Sequence, residues 1–159
     1  MKYYAYYHSP IGKLTLQANV QGLLGVWFET QTTQPENLGV LDKNYPILLQ
    51  TMQQLEEYFR GDRDHFTLPI AATGTPFQQQ VWHVLLSIPF GQTWSYQQLA
   101  NAIDNPKAVR AVGLANSKNP ISIIIPCHRV IGKNGKLSGY AGGVERKKEL
   151  LKHEGIFLK

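Results

Sequence analysis

Cys127, His128 and Arg129 set a nucleophile, a base and a cation side by side, and Cys127 is the only cysteine in the 159-residue chain. A thiol reacts as its thiolate, and an unassisted cysteine with a pKa of about 8.5 is only a few per cent ionised at neutral pH. His128 has the chemistry of a base or relay, and the charge of Arg129 would favour the thiolate. A lone cysteine is otherwise most often a small buried apolar residue. Local chemistry leaves both readings open.

The preceding residues must position that thiol. Ile121-Ser122-Ile123-Ile124-Ile125 is a short β-branched run without a helical period, which reads as a buried strand. Pro126 lacks an N–H, so it is expected where the strand leaves its sheet. Cys127 would then lie at the lip of a rigid element.

Composition narrows the class. The chain is 43% hydrophobic and 17% charged, which predicts a folded core. No apolar run approaches the ~20 residues needed to cross a membrane. The segment Met1-Lys2-Tyr3-Tyr4-Ala5-Tyr6-Tyr7-His8 lacks the aliphatic core of a signal peptide. One cysteine makes neither an internal disulfide nor a Cys-rich zinc site, and a reducing cytoplasm is the expected compartment. The net charge of +5 is unevenly spread. Residues 1–100 carry five Lys/Arg against seven Asp/Glu, whereas residues 101–159 carry eleven against four. A polyanion partner or a solvated basic face would each account for the asymmetry.

Along the chain, residues 2–8 and 13–18 alternate around the turn Ser9-Pro10-Ile11-Gly12 and read as a hairpin. Residues 22–29 suggest a third strand, 30–45 a loop, and 65–70 a further strand. Leu48, Leu49, Met52, Leu55, Tyr58 and Phe59 recur at helical spacing over 46–60, with Gly61 as the stop. This first part reads as a small sheet with one helix, its aromatic residues as core, and no chemistry of its own. Ala71-Ala72-Thr73-Gly74 is the expected boundary.

The second part carries stronger signals. Thr75-Pro76-Phe77-Gln78 and Ser95-Tyr96-Gln97-Gln98 are capping boxes that open helices. The first buries Phe77, Val81, Val84, Leu85 and Ile88. Asn105 is expected to cap a third helix, with Pro106 in its first turn. Two short helices joined by a tight turn, the second with Lys107 and Arg110, form a helix-turn-helix candidate, a weak signal alone. With the charge asymmetry it favours nucleic-acid binding. Lys133-Asn134-Gly135-Lys136 reads as a hairpin-type turn. Ser138-Gly139-Tyr140-Ala141-Gly142-Gly143 is either a ligand-approaching loop or a plain connector. Val144–His153 reads as a basic amphipathic helix ended at Gly155.

Pro126-Cys127-His128-Arg129-Val130 resembles the active-site signature of the O6-alkylguanine-DNA alkyltransferases. Further blocks resemble the family in order: Ser95-Tyr96-Gln97-Gln98-Leu99, the stretch from Asn105 to Gly113, Asn119-Pro120, Gly139-Tyr140-Ala141-Gly142-Gly143, and His153-Glu154-Gly155. Residues 1–74 fit the family's variable N-terminal domain in outline. The resemblance implies an α+β fold: a ribonuclease-H-like domain over 1–74, then a mainly helical DNA-binding and active-site domain over 75–159 with a winged-helix-like helix-turn-helix.

It also implies DNA repair by direct reversal. An O6-alkylguanine, and less well an O4-alkylthymine, is flipped from duplex DNA because its target atom cannot be reached inside the stack. The alkyl group passes irreversibly to Cys127. By resemblance, His128 deprotonates Cys127 through a water and Glu154 orients His128. Asn119 braces the turn before the active-site segment. Tyr96 and the main-chain amide near Ala141 donate to the leaving guanine, and the Val130 carbonyl accepts from its exocyclic amine. Arg110 fills the gap left in the stack. Ser95, Ala108, Tyr140 and Gly142 are the further residues expected against DNA or base. Ala141 departs from the serine common in relatives. No cofactor or metal is implied, and a monomer, cooperative on DNA or not, is the expected state. The alternatives are an alkyltransferase-like protein that binds the lesion without transfer, which the intact cysteine motif opposes, and a cysteine hydrolase, which leaves the basic helix-turn-helix unexplained.

Overall fold

The structure is a computed structural model describing residues 1–137 and 140–157. The alternating N-terminal segments form β1 (Tyr3–Ser9), β2 (Gly12–Asn19) and β3 (Gly22–Phe28), each antiparallel to the next. Within the segment read as a loop, Val40–Leu41 forms a two-residue strand, β4, parallel to β1. The sheet order is β3-β2-β1-β4. One sheet face is apolar and is covered by α1 (Pro46–Phe59), which buries Leu48, Leu55 and Tyr58. Its end follows from Gly61, whose φ of 84° suits glycine far better than any residue with a Cβ.

Both capping boxes are formed. The Thr75 hydroxyl accepts from the Gln78 N–H and opens α2 (Pro76–Leu85), and Ser95 with Gln98 opens α3 (Tyr96–Ala102) in the same way. Helix α2 buries Val81, Trp82 and Leu85, while Phe77 and Val84 are only half-buried. Trp82 reaches further than a periodicity argument allows, because its indole N–H donates to the Ala115 carbonyl at 2.8 Å.

The third helix of this bundle, α4 (Val109–Ser117), starts later than Pro106. Asp104 takes a left-handed conformation, φ 62°, and the Asn105 N–H closes back on the Ala100 carbonyl. The chain therefore spends residues 104–108 on a turn, and Ala108, not Asn105, occupies the N-cap. Helices α2, α3 and α4 pack on one another, and α5 (Val144–His153) closes the molecule.

Two strand expectations fail. Residues 65–70 and 121–125 both approach the outer edge of β3, but each makes a single parallel bridge there, Ile70 to Leu23 and Ile121 to Val26. After Ile121 the chain leaves the edge. The Asn119 carboxamide donates to the carbonyls of Ile121 (3.2 Å) and Ile125 (2.9 Å) and accepts from the Ile121 N–H. That clamp folds residues 121–125 into turns and holds Ile123 at φ 72°. Such a conformation is costly for a β-branched residue and persists only where its surroundings impose it. The isoleucines are still buried, so the apolar run marks a core segment of another shape. A continuous apolar core joins β1–β3 and α1 to α2–α5 through these residues.

Candidate active site

Cys127 opens a three-residue 3-10 helix, Cys127–Arg129, directly after Pro126. It is 4% exposed, so it lies within the molecule rather than at its lip. The Asn116 side-chain amide donates to its carbonyl at 3.3 Å, and its own N–H donates to the Ile125 carbonyl. Burial pushes the thiol pKa up. A hydrogen bond from the Asn119 side chain, the Lys147 charge and nearby backbone N–H groups oppose that rise.

His128 is fully buried. Its Nε2 lies 2.7 Å from Glu154 Oε2. Because a carboxylate only accepts, Nε2 carries the proton, and the neutral ring offers a basic Nδ1. Nδ1 has no hydrogen-bond partner among the described residues. Burial lowers the His128 pKa and outweighs the raising effect of Glu154, so a neutral imidazole is the resting form.

Glu154 is the C-cap of α5, where Gly155 (φ 85°) turns the chain away. Burial alone would raise its pKa. The hydrogen bonds and charges of His128 and Arg129 together outweigh burial and hold the carboxyl well below the usual carboxylate range. Arg129 grips it twice, Nε to Oε1 at 2.7 Å and Nη2 to Oε2 at 3.1 Å. Its Nη1 donates to the Ile88 carbonyl at 2.7 Å. This guanidinium is therefore committed to Glu154 and does not act as the thiolate's cation, the role local sequence assigned to it.

That cation is Lys147, which the sequence reading passed over as one of several lysines on α5. It is buried, and its Nζ donates to the Val130 carbonyl at 2.6 Å. Burial pushes its pKa down to about 8, against the raising effect of Cys127. Val130 opens β6 (Val130–Ile131), which pairs in parallel with β5 (Trp94–Ser95). This short pairing ties the Cys127 segment to the start of α3.

Tyr96, the first residue of α3, is half-buried and close enough to Cys127 to have its pKa raised by it, after burial as the larger cause. Ser95 serves as the α3 cap. Arg110 is exposed on α4, and Ala108 is half-buried at its N-cap. The Lys133–Gly135 turn is a second short 3-10 helix, closed by the Gly132 N–H on the Lys136 carbonyl. Ser138 and Gly139 of the glycine-rich stretch lie outside the described residues. Tyr140 is buried, and Ala141 half-buried. A Cβ on Gly142 would meet the rings of Phe28 and Tyr140 at 2.7 Å, so that glycine is required for close packing. Arg146 fastens the loop from the other side, donating to the carbonyls of Gly142 (3.2 Å) and Ile11 (3.0 Å).

The structure thus brings Asn119 to the Cys127 thiol and Glu154 to the neighbouring His128. Tyr96 and Tyr140 approach the cysteine, while Arg110 belongs to a separate, exposed surface. Among the described residues no group of three or more His, Cys, Asp or Glu side chains is placed to hold a metal ion, and no helix is long and apolar enough to cross a membrane.

Comparison with known proteins decides the family. Residues 76–156 match the family described as 6-O-methylguanine DNA methyltransferase, DNA binding domain, and residues 2–72 match its ribonuclease-like domain. The chain belongs to the 6-O-methylguanine DNA methyltransferase family. It is 48% identical over 153 residues to a methylated-DNA--protein-cysteine methyltransferase of Methanosarcina acetivorans, covering 96% of this chain and 98% of that protein. It is 44% identical to the constitutive enzyme of that name from Bacillus subtilis, covering 100% and 99%. The crystal structure of the O6-methylguanine methyltransferase of Mycobacterium tuberculosis superposes with a TM-score of 0.88 at 45% identity, covering 97% and 93%. A structure of the M. tuberculosis protein in complex with DNA superposes at 0.87, covering 96% and 92%. The α+β fold is that of this methyltransferase family.

Proposed function

We propose that the protein repairs DNA by direct reversal, taking the alkyl group of an O6-alkylguanine onto Cys127 Sγ in a single turnover. The observation that carries the reading is the buried Glu154–His128 hydrogen bond, on the residue that directly follows the buried Cys127, with Nδ1 of His128 as the basic atom.

Burial keeps Cys127 a thiol and His128 neutral at rest, so the nucleophile is masked until a base enters. His128 Nδ1 then takes the thiol proton through a water, and the Glu154 carboxylate stabilises the imidazolium. The thiolate displaces guanine at the saturated carbon in line: the S–C bond forms as the C–O6 bond breaks, and the electron pair leaves on guanine O6. Tyr96 donates to that oxygen, together with the amide near Ala141. The Val130 carbonyl has two lone pairs, so it can accept from the exocyclic amine of guanine while holding Lys147.

Delivery falls to α3 and α4. With 4% exposure Cys127 cannot reach a base inside a stack, so the nucleotide must rotate out, at a cost of a few kcal/mol. Arg110, exposed on α4, fills the vacated position, and Ala108 and Ser95 lie against the backbone. The +7 net charge of residues 101–159 supports a DNA partner. The product thioether is inert to water, so the chain is consumed. O4-alkylthymine is a poorer substrate because it lacks the amine that Val130 would read.

Intact mass spectrometry after incubation with excess O6-methylguanine duplex tests this directly. One methyl per chain, on Cys127 and absent in Cys127→Ala, is the expected result. More than one methyl per chain contradicts single turnover, and binding without mass gain marks a lesion-binding module.

A further inference from the structure

Glu154 Oε2 accepts from a third donor besides His128 and Arg129. The Tyr58 hydroxyl, on α1, donates to it at 2.6 Å across 96 residues of sequence. Tyr58 is fully buried, and its ring packs against Phe59, Phe66, Phe90 and His153. Its main-chain carbonyl accepts from His153 Nε2 at 2.7 Å. One residue of the N-terminal sheet-and-helix part therefore pins two consecutive residues at the end of α5, and one of them is the carboxylate that orients His128.

We propose that Tyr58 is a positioning residue for alkyl transfer, fixing the Glu154 carboxylate and sharing with His128 the oxygen that holds the imidazole. The proposal rests on reading Cys127 as the alkyl acceptor, with His128 and Glu154 behind it.

The geometry distinguishes this from packing alone. Arg129 already neutralises Glu154 and occupies both its oxygens, so the buried charge does not need a phenol for compensation. The Tyr58 hydroxyl is instead placed on Oε2, the oxygen that accepts from His128. A donor there draws electron density away from the His128 Nε2–H and keeps the imidazole from becoming too basic. The other groups facing this pair are the Arg129 guanidinium, Lys147, the Tyr140 phenol and His153. Of these, Arg129 donates to Oε2 at 3.1 Å, the longest distance of the three donors.

Tyr58→Phe removes the hydroxyl and keeps the ring. Single-turnover methyl transfer from an O6-methylguanine duplex is followed against pH for wild type and variant, with thermal unfolding as the check on folding. A plateau rate lower by on the order of tenfold is expected from losing a hydrogen bond to a charged group. The acid limb should also move to higher pH, because His128 becomes more basic. A 15N titration of His128 should move the same way without DNA. An unchanged rate and profile overturns the proposal. So does a slower rate with an unmoved profile, which would make Tyr58 a packing residue only. If the variant does not fold, tyrosine labelled at 13Cζ in the wild-type chain gives the same decision. The Tyr58 signal should follow the His128 titration, and a flat response overturns the coupling. A wild-type chain that takes no methyl overturns the acceptor reading itself, whereas methylated wild type with an indifferent Tyr58→Phe overturns this inference alone.

Discussion

At the scale of the residue, reactivity here comes from opposing effects on one thiol. Burial disfavours the thiolate, and Lys147 is the buried cation that counters it. Replacing Lys147 by Met keeps the length and apolar stem but removes the charge. If the thiolate fraction limits transfer, each unit added to the thiol pKa costs about tenfold in rate. Lys147→Met is expected to slow single-turnover transfer by at least about that factor while leaving DNA affinity unchanged, since the side chain does not reach the surface. Equal rates for variant and wild type would exclude Lys147 from activation. Sequence inspection missed this lysine and Tyr58 for one reason. A buried polar side chain is defined by partners distant along the chain, and local pattern assigns lysines on an amphipathic helix to solvent and aromatics on an apolar stripe to core. Cys127, His128 and Glu154 were legible because their order and types match a family signature. Arg129 was legible as a cation, but its target was not.

At the scale of the element, what sequence resolves is what is locally determined. The two capping boxes, the hairpin turn and α5 form where residue types dictate, because each is satisfied within one helical turn or one pair of strands. The Ile121–Ile125 run is not locally determined. Its β-branched residues fit a strand, but the Asn119 carboxamide claims the carbonyls a ladder would use. The α4 start shifted for a similar reason, as the left-handed turn at Asp104 delays it. That delay sets which residues of α4 face outward, and Arg110 is among them. Arg110→Ala should reduce repair of duplex DNA by tenfold or more, since unstacking costs a few kcal/mol. Transfer from the free O6-alkylguanine base should be unaffected, and stability should stay within about 0.5 kcal/mol of wild type, as for other exposed substitutions. Equal loss on duplex and free base would place Arg110 in chemistry rather than in extrusion.

At the scale of the molecule, the buried ionic cluster makes stability depend on pH with a definite sign. The folded Glu154 pKa lies below its ordinary 4.5, so its contribution is complete above that value and is lost as pH falls. The folded His128 pKa lies below 6.5, so its neutral form stabilises the fold above that value, and the contribution is lost as pH falls and the unfolded chain takes up the proton. Both point to acid destabilisation. Glu154→Gln leaves Arg129 buried without its counter-charge and should cost about 3–5 kcal/mol at neutral pH. The gap between the two melting temperatures should narrow as pH falls below about 4.5, because the wild-type carboxyl is then giving up its own advantage. A gap that stayed constant from neutral pH into acid would show that Glu154 is not a stabilising carboxylate. The outer edge of β3 has a further consequence at this scale. An uncovered edge strand offers its backbone to other chains and invites aggregation. Here Ile70 and Ile121 occupy that edge at Leu23 and Val26, while the opposite edge is the two-residue β4. The segment that carries Cys127 thus doubles as a shield for the sheet, which remains guarded against self-association for as long as that segment stays seated.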